Sequence, residues 1–157
     1  MKSTYLLPYK FKLIGWILFT LGLIGGVVLL VNDYESEFLT IKVITVFNDS
    51  IFNNDNYGFF KIIENSIFDE IIAIAIIIGG LLIGFSREKV EDEFIYKLRK
   101  DSLAWAIIFN YIVVMFAILF IYGLTFFHVL IFNMFLPLLF FILRFTFLKL
   151  KYNSNEE

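Results

Sequence analysis

From Ser102 to Leu143 the chain runs for 42 positions without an Asp, Glu, Lys or Arg. About 20 apolar residues cross a bilayer, so this run is two spans long. Its pattern breaks at Tyr122-Gly123-Leu124-Thr125. The pattern predicts a helical hairpin in a membrane, with spans over 102–122 and 126–147. Leu13 to Asn32 is a further uncharged run of 20 residues, predicting a span over 12–32. A cleaved leader would have an apolar core of about 7–15 residues ending at a small-residue site. This core is longer and no Ala precedes Ala73, which favours a retained anchor. Ile71 to Ser86 is uncharged as well. With Ser66 and Asp69 read as a capping box, it predicts a span over 66–86.

Small residues mark the expected contact between the first two spans. Gly15, Gly22 and Gly26 share one helical face, and Gly22 and Gly26 have the spacing that lets helix backbones approach closely. Ala73, Gly80 and Gly84 supply the other side. An antiparallel pairing sets Gly84 at the depth of Gly15, and Ala73 at that of Gly26.

Residues 33–65 form an outer loop. FLTIKVITVF at 38–47 alternates as a strand, with Leu39, Ile41, Val43 and Phe47 on one face. The Asn- and Asp-rich stretch 48–58 reads as a turn, and YGFFKIIE at 57–64 can return as a second strand, making a small hairpin. Asp49 and Asp55 lack the spacing of a calcium loop and read as solvated. Residues 87–101 are charged but periodic. A cytosolic helix is expected there, with Val90, Phe94 and Leu98 facing lipid or protein. Its carboxylates Glu88, Glu91 and Asp92 fall on one face, read as solvated in preference to a divalent-cation site. Glu91, Asp92 and Arg99 are the candidate partner-facing residues. The last residues, 150–157, are expected to be disordered.

Charge sets the expected orientation. Three Lys/Arg lie near the N-terminus, five in 87–101 and three at the C-terminal end, against two in 33–70. By the positive-inside rule both termini and the charged helix are cytosolic. The expected fold is therefore an all-α integral membrane protein. It is a four-transmembrane-helix bundle, N-in and C-in, in a single membrane domain over 1–149. The composition agrees: 60% hydrophobic, 20% aromatic and only 18% charged, below the quarter usual in soluble domains. The absence of Cys excludes disulfides, thiol nucleophiles and thiolate metal sites, and a single His excludes multi-imidazole zinc sites.

LPYKFKLIGW (7–16), EKVEDEFIYKLRKDSLAWA (88–106) and FNMF (132–135) followed by Arg144 resemble a group of small uncharacterised bacterial inner-membrane proteins with four spans. The resemblance implies an architecture and no reaction.

No protease, phosphotransferase or phosphate-loop motif is present. The expectation is a non-enzymatic regulatory, sensor or accessory subunit of the inner membrane, with no cofactor and no metal. Its expected partners are lipids and another protein or a second copy, not nucleic acid. An oligomeric channel or pore subunit is the alternative. Three polar side chains lie inside spans: Thr20, Asn110 and Asn133. Depths counted from the cytosolic ends of the spans match Asn110 to Thr20, about 12 Å deep in both cases, and make Asn133 a poor partner. An outward Asn110, bonding a second copy, would instead favour an assembly.

Overall fold

The computed structural model describes residues 6–31, 39–48 and 58–153. It has four helices long and apolar enough to cross a membrane: α1 (Lys10–Val31), α2 (Phe68–Phe85), α3 (Glu93–Phe120) and α4 (Leu124–Asn153). By length and composition this is a multi-pass membrane protein. Between α1 and α2 lie two strands, β1 (Thr40–Asn48) and β2 (Gly58–Ser66). The chain divides into two compact units. One runs from residue 21 to 74, and the other holds the remaining described residues.

In the unit of residues 21–74, β1 and β2 pair antiparallel, with Val43 opposite Ile63, Ile44 opposite Ile62 and Phe47 opposite Phe59. The Phe47 and Phe59 rings lie 5.0 Å apart. β-Branched residues favour this pleated surface. The alternation puts Val43, Thr45 and Ile63 on a half-buried face. Ile44, Val46, Phe60 and Ile62 share the opposite face, each 64–74% exposed. The Lys42–Glu64 pair at 3.8 Å is exposed and contributes little. The Ile67 carbonyl accepts from Ile71 N–H and opens α2. Ser66 is the last residue of β2. Asp69 and Glu70 sit in the first turn, where the helix dipole favours acids. Gly25 faces Ile72, whose side-chain carbons would lie 2.9 Å from an added Cβ.

The second unit is built on the α3–α4 hairpin. The connection is tight: Ile121 N–H donates to the Ala117 carbonyl, and Gly123 turns the chain at φ 72°. Phe109 and Phe140 stack across the hairpin at 4.4 Å. α1 meets α2 through Gly15, where an added Cβ would lie 2.8–2.9 Å from Leu82, Gly79 and Ile83, and through Gly79, which lies on the backbone of Phe19. Gly80 and Gly84 face α4 instead, against Leu138 and Phe141. The matched-depth pairing of Gly84 with Gly15 is corrected accordingly. The small face of α2 is split between two neighbours, a distinction that depth alone does not carry. Gly22 is buried, and Gly26 and Ala73 are partly so.

Three further expectations change. Residues 87–92 are not helical, because α3 begins at Glu93. The Asp92 carboxylate accepts from Ile95 N–H at 2.7 Å, and Glu91 accepts from Glu88 N–H at 2.8 Å. Short-range carboxylate bonds to backbone N–H groups compete with helix and fix its start. The stripe of α3 buried within the protein is Ile95, Arg99, Ser102 and Ala106. Leu98 is half-buried and Phe94 meets Tyr152, but Val90 precedes α3 and is 74% exposed. α4 continues to Asn153, past the expected end of order at 149, with Tyr152 stacked on Phe94 at 4.2 Å. The acidic loop residues Asp33, Glu35, Glu37, Asp49 and Asp55, and residues 154–157, lie outside the described residues.

Candidate functional site

The densest chemistry lies at the end of the second unit, where α1 starts, α2 ends, α3 starts and α4 ends. Its framework is a short backbone clamp. Leu7 N–H donates to the Phe85 carbonyl, and Arg87 N–H to the Leu7 carbonyl, each at 2.9 Å. Pro8 follows, and its carbonyl accepts from Phe11 N–H as α1 begins. This ties the segment before α1 to the segment after α2 and fixes Glu88 beside Lys12.

Glu88 is buried and accepts from two ammonium groups, Lys12 and Lys149, the latter at 2.7 Å. The two lysines come from the first turn of α1 and the last turns of α4. One carboxylate therefore holds together chain segments 76 and 61 residues apart. Burial alone pushes the Glu88 carboxyl up. The hydrogen bonds from Lys12 and Lys149 outweigh it and hold the group below its ordinary value of 4.5.

A second ion pair lies alongside. Arg99 donates through both terminal nitrogens to Glu91, at 2.5 and 3.2 Å, and to the Ser86 carbonyl at 3.3 Å. Two-pronged Arg–carboxylate geometry is among the stronger charge-assisted arrangements. Phe145, 1% exposed, forms the apolar wall: the Arg99 guanidinium lies 5.2 Å and the Lys12 ammonium 5.8 Å from its ring centre. Arg144 lies over Trp105 at 5.3 Å.

The structure thus rearranges the expected site. Arg99 is 3% exposed and cannot face a partner. Glu91 is tied to it, and Asp92 caps α3. Of the three carboxylates read as one solvated face, Glu88 is buried in its ion pairs, while Glu91 and Asp92 stay exposed and are hydrogen-bonded to Arg99 and to Ile95 N–H. No group of His or acids able to hold a metal occurs among the described residues. Lys12, Ser86, Phe145 and Lys149 escaped sequence reading. The only signal was that all lie at span ends, which ordinary topogenic flanks share.

The buried polar residues also pair differently. Asn133 Nδ2 donates to Asn110 Oδ1 at 3.1 Å. Thr20 bonds the carbonyls of Trp16 and Ile17 in its own helix. The Thr20–Asn110 pairing is therefore corrected. Depth counted from the charged ends of the spans misses this pair, because a hairpin takes its register from its turn. Asn110 is 10 residues before Phe120 and Asn133 is 9 after Leu124, so both lie about 15 Å from the turn. Leucine at Asn133 should lower stability in detergent by about 0.5–1.5 kcal/mol, and the Asn110→Leu, Asn133→Leu double variant by less than the summed singles. Additive losses in a double-mutant cycle would show that the two amides do not interact.

Comparison with protein-family models, with curated proteins and with solved structures returns no match.

Proposed function

We propose that this protein is a non-enzymatic accessory or regulatory subunit of the bacterial inner membrane that works by contact with a partner protein. In this reading the four helices form an N-in, C-in bundle with the charged end cytosolic and the β1–β2 sheet outside. The Lys/Arg distribution supports that orientation, with 11 of 13 lying outside residues 33–70. At the charged end Glu88 engages Lys12 and Lys149, and Glu91 engages Arg99, as suits a scaffold.

The observation that carries the reading is the exposed sheet face. Ile44, Val46, Phe60 and Ile62 present contiguous apolar surface on an element outside the spans. Such surface on a two-stranded sheet, itself marginal in isolation, marks a contact site. The rival of a pore-forming assembly loses one support, because the Asn110 amide is used within the chain.

A photo-reactive residue at Ile44 or Ile62, in native membranes, should give one defined protein adduct. The same probe at half-buried Thr45 should give little. Adducts with lipid alone, or equal adducts from all three positions, would overturn the partner reading. A reporter fused after Asn54 should report an external location, and a cytosolic signal would reverse the orientation.

A further inference from the structure

Beside the Glu88 clasp lies a cleft of about 450 Å³ lined by Tyr9, Glu88, Lys89, Asp92, Lys149 and Tyr152, among others. We propose that it binds the phosphodiester headgroup of an anionic membrane phospholipid. This does not rest on the accessory-subunit reading, since a lipid site serves a pore equally well.

Three observations converge. The first is level. Lys149 and Ile95 each lie 25 residues from the hairpin turn, at Leu124 and Phe120. At 1.5 Å per residue that is about 37 Å. A hydrocarbon layer is about 30 Å thick, and about 40–45 Å with its headgroups. With the turn at one boundary, the cleft opens in the headgroup layer of the other. The second is charge. Glu88 is a single negative charge between two ammonium groups, so the clasp carries a surplus positive charge. Lys89 has no carboxylate partner among the described residues, and its ammonium lies 5.9 Å from the Tyr9 ring centre. Asp92 offsets one charge, but its carboxylate is held by Ile95 N–H at the start of α3. A net charge of about +1 selects a singly charged phosphodiester over a zwitterionic headgroup. The third is the lining itself. Tyr9 and Tyr152 flank the two lysines, and aromatic rings with polar ends belong at this layer.

The phosphate would sit against Lys89 and Lys149, with the acyl chains returning along the apolar helix surfaces. The full-length protein in non-ionic detergent is titrated with dioctanoyl phosphatidylglycerol and followed by native mass spectrometry. Saturable binding of one lipid is expected, with dioctanoylglycerol, which lacks the phosphate, failing to bind. Lys89→Ala should weaken binding about fivefold, the worth of one lysine at an anionic surface. Lys42→Ala, on the sheet, should leave it unchanged. Because Lys89 is exposed, its loss should leave thermal stability intact. Four results would each overturn the assignment: dioctanoylglycerol binding as tightly, dioctanoyl phosphatidylethanolamine binding as tightly, inorganic phosphate displacing the lipid at equal concentration, or Lys89→Ala binding as the wild type does.

Discussion

Glu88→Gln is expected to lower the stability of the detergent-solubilised protein by about 3 kcal/mol, near the low end for breaking a buried ion pair because Lys149 keeps partial exposure. The variant keeps the shape of the side chain but leaves two ammonium groups facing one another across a neutral amide. Replacing all three members, with Lys12→Met and Lys149→Met added to Glu88→Leu, should recover much of the loss, because no uncompensated charge remains. Recovery distinguishes a charge effect from a packing effect, and a triple variant no better than Glu88→Gln would refute the charge account. The pH dependence has a definite sign. The folded-state pKa of Glu88 is depressed, so its contribution is fully present above 4.5, its ordinary value, and is lost as pH falls through the lower folded value. The stability gap between wild type and Glu88→Gln should therefore be constant near neutrality and should close below pH 4.5. A gap that persists in acid would mean that Glu88 is not the charged member of the clasp.

Gly79→Leu should prevent recovery of folded protein altogether, and Gly79→Ala should already cost about 1–3 kcal/mol. An added Cβ at Gly79 meets the backbone of Phe19 in α1, which can retreat only if the helix moves. Gly84→Ala should be milder, because its Cβ meets the ring of Phe141, a side chain, and not the backbone of another helix. The thermal midpoints of the two alanine variants check the order. A lower midpoint for Gly84→Ala would show that α4, not α1, holds α2 most tightly. Gly123→Ala isolates backbone conformation: nothing lies within 4 Å of the added Cβ, but φ is 72°. Its cost should be about 1 kcal/mol.

The three uncharged runs, one of them two spans long, alone determined that there would be four membrane-length helices, because hydrocarbon accepts a backbone only if its hydrogen bonds are satisfied within the segment. The alternation in 38–47 likewise determined a strand, and the turn-rich stretch after it made a hairpin partner available. These are properties of contiguous residues, so a sequence carries them directly. The identity of neighbours is a different matter. Whether Gly84 meets α1 or α4 depends on the azimuth of α2 between two partners, to which spacing within α2 is blind. Asn110 found Asn133 because the position of one tight turn fixed the register of α3 against α4. Glu91 and Asp92 pattern as part of one helical face, but their bonds to backbone N–H groups hold residues 87–92 out of the helix. The Glu88 clasp was the least legible feature. Lys12, Glu88 and Lys149 are each unremarkable charges at a span end. Only the Leu7–Ser86 bridge and the packing of Phe145 bring one buried carboxylate between two lysines, so tertiary structure alone decided that these charges face inward.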